Sequence, residues 1–351
     1  MKARTKEIIK DGFGSLVNNA AAIRGAKAGP FWLTLVMFIL SVFLPVIPLF
    51  VSQATTKGSS FLNSYSYGLE RYVTSIAMDL KNNKLAEFSI DEEHMLTIKE
   101  NGTEVNFSEY GSAKEYVAYK DLNTNQYTFT VYLSDAVTDK EKSDANKLIG
   151  TTYYGNGTTA ISADSENVYR PSYMILFKNG VYVVIYSANA VKAITSSYSG
   201  DFKTLEAGND YLDRLLTVKD KEGNAVSQSL INDDYINGVY KNYKKFLDKS
   251  YETLKVKNTW VSSAIYFGVF FGLSIIMGFL MWLLTRGKNN PNNYYTPWLT
   301  MKIQARLGLT PALITLLVGF FLTSYAPMIF IMTIGLRVMW VSMKELRPVQ
   351  Q

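Results

Sequence analysis

The sequence predicts an α-helical membrane protein with four transmembrane helices and a large extracytoplasmic α+β domain between the first two. Three observations carry that prediction. Four apolar runs are long enough to cross a bilayer. A polar stretch of 206 residues, 53–258, separates the first run from the second. Basic residues gather on the segments that flank the runs. The 351 residues are 48% hydrophobic with a mean hydropathy near zero, an average over a polar middle and apolar ends.

Charge is divided in the same way. Residues 53–258 hold 23 Lys/Arg and 27 Asp/Glu, whereas the flanking segments hold 13 basic and 3 acidic residues. The overall charge of +6 is therefore a topology signal, and no nucleic-acid partner is expected. Cysteine is absent and histidine occurs once, at His94. Disulfides, zinc–thiolate sites and cysteine nucleophiles are excluded, and histidine chemistry nearly so. A cysteine-free outer domain fits a Gram-positive or mollicute surface better than a eukaryotic secretory route.

Residues 1–30 form a cytoplasmic basic segment with Lys2, Arg4, Lys6, Lys10, Arg24 and Lys27 against Glu7 and Asp11. Ile9, Phe13, Leu16, Val17 and Ala20 share one helical face. The segment reads either as a short helix on the inner leaflet, its bases meeting anionic lipid, or as a solvated basic tail. Residues 31–52 are the first span, with Phe31–Val51 uncharged over 21 residues. Pro45 and Pro48 should kink its outer half or end its regular helix early. Ser52-Gln53-Ala54 also resembles a signal-peptide cleavage site, but the apolar run is longer than a usual signal core, so a retained anchor is expected.

The positive-inside rule places both termini and the loop 286–306, with Arg286, Lys288, Lys302 and Arg306, in the cytoplasm, and residues 53–258 outside. The outer domain should open with a helix near Tyr65–Lys81. Strands are expected at Glu87–Ile90, Met95–Lys99, Thr103–Phe107, Tyr116–Lys120, Tyr127–Leu133, Tyr173–Phe177 and Val181–Ser187. Asn101-Gly102 and Lys178-Asn179-Gly180 supply hairpin turns. Thr138–Leu148 reads as a helix with Gly150 just past its end.

Leu230–Arg286 reads as one helix. Ile236, Val239, Tyr240, Tyr243, Phe246, Leu247, Tyr251 and Leu254 make an apolar stripe with Lys241, Lys244, Lys245 and Lys249 between them. No Gly or Pro interrupts its passage into Thr259–Thr285, the second span (259–285) and without charge. Its apolar positions reach about 40 Å, more than a hydrocarbon core of about 30 Å. A stalk continuous with a membrane helix is the expectation. Residues 307–325 and 328–344 are the third and fourth spans, a hairpin turning at Ala326-Pro327, followed by a cytoplasmic tail, 345–351.

Constellations for chemistry are few. Gly-x-x-x-x-Gly-Lys-Ser/Thr, His-Glu-x-x-His and Gly-x-Ser-x-Gly are all missing from the sequence. Asp91-Glu92-Glu93-His94 reads as a solvated turn, because four consecutive residues converge poorly on one metal. Asp121–Asn125 begins like a calcium loop, but Gln126 stands where Gly is wanted and Tyr132 where a closing Glu should be. Asn101-Gly-Thr and Asn156-Gly-Thr are glycosylation sequons without meaning in most bacteria. Twenty of the 24 tyrosines lie in the outer domain. They read chiefly as strand and half-buried residues, with sugar-stacking platforms as the alternative. No cofactor, metal or catalytic residue is expected.

The candidate contact residues lie in the membrane. Gly268 and Gly272 form a G-x-x-x-G pair continued by Ser274 and Gly278, a spacing that lets membrane helices approach closely. The neighbour is this chain's own hairpin or another protein, and self-packing is favoured. Arg337 interrupts the last run. It reads as a side chain reaching lipid phosphates or as a pair or partner contact within the membrane.

The layout resembles a family of Gram-positive polytopic membrane proteins associated with maltodextrin ABC importers, the maltodextrin-utilisation, MalA-like proteins. The similar features are the basic amphipathic start, Leu85-Ala86-Glu87-Phe88-Ser89-Ile90 after the first outer helix, the run from Trp298-Leu299-Thr300-Met301-Lys302 to Thr310-Pro311, and Lys344-Glu345-Leu346-Arg347. The resemblance implies a non-enzymatic accessory subunit near a sugar transporter, with ABC transporter subunits as partners. A permease role fits badly, since the 286–306 loop lacks the Glu-Ala-Ala…Gly segment that docks an ABC ATPase. The residues themselves leave a second class open, an outer ligand sensor signalling through the stalk. A surface enzyme is the least supported.

Overall fold

The computed structural model describes residues 10–62, 68–79, 86–120, 127–154, 172–186, 195–206, 227–287 and 290–346. The chain divides into a helical unit, residues 1–55 with 256–351, and an α+β unit, residues 56–255.

The helical unit begins with a helical stretch at residues 10–14, a turn at 15–17, and α1 (Asn19–Ala28). The Asn18 side chain caps α1 by accepting from Ala21 N, which satisfies one of the unpaired amides of a first turn. The Ile9–Ala20 face therefore does not exist as one helix. The chain breaks at 15–18, leaving Phe13 and Val17 exposed. Next comes α2 (Phe31–Phe43), a 3₁₀ turn at Leu44–Val46 and α3 (Ile47–Thr55), together an apolar length of 25 residues. The irregularity falls on Pro45, whose ring and missing N–H break the α-helical ladder, as the sequence predicts.

In the α+β unit, α4 (Gly68–Met78) precedes the hairpin of β1 (Ala86–Ile90) and β2 (Leu96–Glu100), to which β3 (Thr103–Glu104) adds a short edge. Asn101 and Gly102 both have positive φ, 49° and 78°, which a two-residue hairpin turn of this hand requires. A five-stranded sheet follows in the order β4 (Lys114–Lys120), β5 (Tyr127–Ser134), β6 (Ser172–Phe177), β7 (Gly180–Tyr186), β8 (Thr195–Asp201). All pairs are antiparallel except β5 with β6, which are parallel and bridged by a connection containing α5 (Asp139–Tyr154).

This sheet is covered on both faces. Val117, Tyr119, Phe129, Val131, Leu133, Met174, Leu176, Val181 and Val183 point toward α4 and α6 (Asp233–Ser250). Tyr132, Tyr173, Ile175, Phe177 and Val184 point toward Ala145 and Ile149 of α5. The alternation follows from the two-residue period of a strand, and β6, enclosed on both sides, is buried along its whole length. Tyr72 stacks on Phe129 at 4.2 Å, with Tyr243 edge-on at 5.6 Å.

Several boundaries differ from the sequence expectation. Helix α5 runs through Gly150 to Tyr154, so that glycine is not a cap. β8 carries Ser, Gly and Thr rather than a recognisable apolar alternation and was not anticipated. The long helix is two helices, α6 and α7 (Glu252–Leu284), with Tyr251 between them. Tyr251 keeps right-handed helical angles, φ −89° and ψ −15°, and its N–H still reaches Leu247 O. Residues 257–259 lie inside α7. The ends of the first outer helix, the calcium-like stretch at 121–125 and the Asn156 sequon lie outside the described residues, in whole or in part.

After α7 the helical unit closes with α8 (Pro297–Leu307), α9 (Leu309–Gly319) and α10 (Ala326–Lys344). The third apolar length is thus 297–319, ten residues earlier than the predicted 307–325, and takes in half of the loop read as 286–306. Its start is set by Thr296, whose hydroxyl accepts from Leu299 N, with Pro297 at the first helical position. Gly308 joins α8 to α9, and a Cβ there would stand 3.1 Å from Ser41 Cβ of α2. Among the described residues, four helical lengths, Phe31–Thr55, Glu252–Leu284, Pro297–Gly319 and Thr323–Lys344, are long and apolar enough to cross a membrane.

Candidate functional site

Two places in the helical unit hold the residues singled out from the sequence. The first is α7. In its most apolar window 22% of residues are buried within the protein, against 44, 50 and 33% in the other three lengths. Ser274 and Gly278 are on the covered side. A methyl group at Gly278 would stand 2.5 Å from Met301 Sδ and 3.4 Å from Met301 Cα, so α8 lies against α7 there. Gly268 and Gly272 behave differently. A Cβ at either would meet nothing within 4 Å, so the expected self-packing at this pair does not occur. Their neighbours Ile265, Val269 and Ile276 are exposed. Half of the small-residue series packs within the chain and half faces out.

The second place is where the amino-terminal segment meets α8 and α10. Arg337, on α10, donates from Nη1 to Leu307 O at 2.8 Å, from Nε to Asn19 Oδ1 at 3.4 Å, and from Nη2 to Ser15 O. Leu307 O ends α8 and Ser15 O lies in the 15–18 turn, places where carbonyls lack helical partners, and Asn19 adds its side-chain oxygen. Thr310 Oγ1 donates to Leu16 O alongside. Arg337 thus makes intramolecular contacts with the amino-terminal turn, α1 and the end of α8.

The sequence marks Arg306 only as one positive charge of the 286–306 loop. It lies near the end of α8 and is fully enclosed, and none of its three guanidinium nitrogens has a hydrogen-bond partner among the described residues. Helix α1 lies directly on it. A Cβ at Gly25 would be 2.5 Å from Nη1, and one at Gly29 would be 2.5 Å from Nη2. In the sequence the pair is Gly25-Ala26-Lys27-Ala28-Gly29, a small-residue spacing set in a basic segment rather than an apolar run.

Aromatic and basic side chains surround this end of the unit. Lys27 Nζ donates to Tyr294 OH at 3.1 Å and lies 4.6 Å from the centre of the Tyr295 ring. Arg286 lies 4.6 Å from the Trp282 ring and Lys302 6.0 Å from that of Trp298. Such rings with basic partners are the pattern of a membrane–water interface.

In the α+β unit Asp91–His94 is an exposed turn between β1 and β2. Asp91 Oδ1 accepts from Glu93 N at 2.9 Å and Met95 N at 2.7 Å, and His94 takes a φ of 60°. The carboxylate is therefore occupied in shaping the turn. Tyr72, Tyr119, Tyr198 and Tyr243 are buried and belong to the core. Burial holds their phenols well above the usual tyrosine range. Comparison with protein-family models, with curated proteins and with solved structures gives no match.

Proposed function

We propose that the chain is a non-catalytic accessory or scaffold subunit of a membrane complex. It would sit in the cell membrane as a four-span protein with both termini inside and residues 53–258 outside, an orientation supported by the distribution of basic residues. The observation that carries the subunit reading is the uncovered face of α7. Lipid chains cover any apolar helix, but a glycine pair one turn apart with open space above it suits the backbone of another helix better. The partner class we propose, ABC-type importer subunits of the maltodextrin kind, rests on the sequence resemblance alone.

The absence of cysteine makes the test clean, because one introduced thiol is the only one in the chain. Gly272→Cys should give a specific crosslink in native membranes, and pull-down in mild detergent with mass spectrometry should identify the same protein. A thiol at 272 that crosslinks to nothing, together with a partner-free preparation, would sink the reading.

A further inference from the structure

Among the described residues of the helical unit, Arg306 alone combines a charge with complete enclosure. A guanidinium keeps its proton in apolar surroundings, so it cannot escape the cost of burial by becoming neutral. Arg337, nearby in the same unit, meets that cost with two carbonyls and an amide oxygen. Arg306 has no acceptor. What covers it is the carbon of two glycines, which supplies contact and no hydrogen bond.

The cover is held by the small apolar side chains Ala22 and Ala26 in the core and by few polar ties, between two pins. At one end, residues 15–19 are fixed by Arg337 and Thr310. At the other, Pro30 leads into α2. Between them, the polar ties of α1 are the exposed Lys27–Tyr294 hydrogen bond and the Arg24–Asp11 pair at 3.3 Å, a class of contact worth little in water. Asp11 is the acid whose charge reaches Arg306, and it is already paired with Arg24 at 3.3 Å, so one carboxylate is shared between two guanidiniums. The complement to this arrangement is an anion from outside the chain.

We propose that Arg306 anchors a phosphate-binding site that α1 closes and that opens when α1 lifts. The ligand is a phosphate group, carried by a lipid headgroup or free. A forked guanidinium matches phosphate oxygens two at a time. The ring of tryptophans, tyrosines and lysines marks the depth at which headgroups lie. This site is independent of the α7 face and of any partner seated there.

The full-length chain in mild detergent, titrated with phosphatidylglycerol or phosphatidylcholine and read by native mass spectrometry, tests it. The wild type should retain phosphatidylglycerol preferentially, and Arg306→Gln should weaken that binding on the order of tenfold. Lys302→Gln should weaken it less, and only at low salt. Gly25→Ala sets a methyl group 2.5 Å from Nη1, a clash that the flexible end of Arg306 relieves by leaving its enclosed place beneath α1, and it should raise the affinity several-fold, which a purely structural arginine would not do. Inorganic phosphate that displaces the lipid at millimolar concentration would assign the site to free phosphate, and failure to displace it to the headgroup. Wild-type affinity in both Arg306→Gln and Gly25→Ala would overturn the proposal, leaving a hydrated side chain only. If Arg306→Gln does not fold, Gly25→Ala decides alone, and no gain in affinity overturns it.

Discussion

Arg337 Nη1 lies 2.8 Å from the carbonyl of Leu307, the last residue of α8 before the Gly308 joint. The same guanidinium reaches Ser15 O and Asn19 Oδ1, so one side chain ties the fourth apolar helix to the bend of the third and to the amino-terminal turn. Replacing it with Met removes the donor and leaves carbonyls without partners where water is scarce. Such a loss costs about 1–3 kcal/mol per stranded group. Arg337→Met should therefore lower thermal stability and free the amino-terminal segment, read as labelling of a thiol at the otherwise buried Ser15 position. Arg337→Lys should recover only part, because an ammonium is a point charge and these acceptors diverge. An unlabelled Ser15→Cys in the Arg337→Met background would refute the pinning role.

The two halves of the α7 small-residue series should separate on mutation. Gly278→Leu must push against Met301 and Gln304 of α8, an overpacking that costs about 1–3 kcal/mol. Gly272→Ala adds a methyl group in open space and restricts the unfolded chain, so the isolated protein should be unchanged or more stable by up to about 1 kcal/mol. If a partner helix uses that surface, the same substitution should weaken co-purification. Thermal unfolding in detergent measures the first pair of effects and pull-down yield the last. Equal destabilisation by Gly278→Leu and Gly272→Ala would contradict the packing described.

Much of this architecture was legible because its signals are local. The apolar runs, the Pro45 irregularity, the Asn101-Gly102 turn and the β6–β7 hairpin each follow from a few adjacent residues. What escaped depends on distant neighbours. Nothing near Arg306 announces that Gly25 and Gly29 will lie on it, since the three meet only after α1 packs on α8. Gly268 and Gly272 look the same as Gly278 in sequence, and only the position of α8 tells them apart. β8 escaped for a related reason. Its Thr195-Ser-Ser-Tyr-Ser-Gly-Asp201 residues pair with β7 through the backbone, and Tyr198 alone supplies a large apolar side chain.

Tyr198 leads to a prediction about alkali. Its hydroxyl is 2.6 Å from both Leu247 O and Ser250 Oγ, inside a core that also encloses Tyr72, Tyr119 and Tyr243. Burial raises all four phenols above their ordinary 10.0, because the protein interior penalises the phenolate. Below pH 10 these groups are neutral whether the chain is folded or not. Above it the unfolded chain loses protons that the folded one keeps, so stability falls as pH rises. Each pH unit above 10 removes up to about 1.4 kcal/mol per buried tyrosine. The tyrosinate absorbance of these residues should therefore appear in one cooperative step together with loss of ellipticity. Gradual titration near pH 10 with the fold intact would show them to be accessible.

The orientation proposed for the chain can be tested position by position, again because there is no native thiol. Glu93 stands in the exposed turn between β1 and β2, and Asn293 is exposed just before α8. If the α+β unit faces out and the basic end faces in, Glu93→Cys should react with a membrane-impermeant maleimide on intact cells. Asn293→Cys should react only after permeabilisation. The physical basis is the cost of moving lysine and arginine across the bilayer, which in the proposed orientation would keep Lys27, Arg286 and Lys302 on the cytoplasmic side. Both substitutions are on exposed turns and should leave stability within about 0.5 kcal/mol of the starting protein, so a labelling difference reports location rather than unfolding. The reverse pattern would invert the orientation, and labelling of both thiols on sealed cells would place 293 and 93 on the same side, which an odd number of crossings between them forbids.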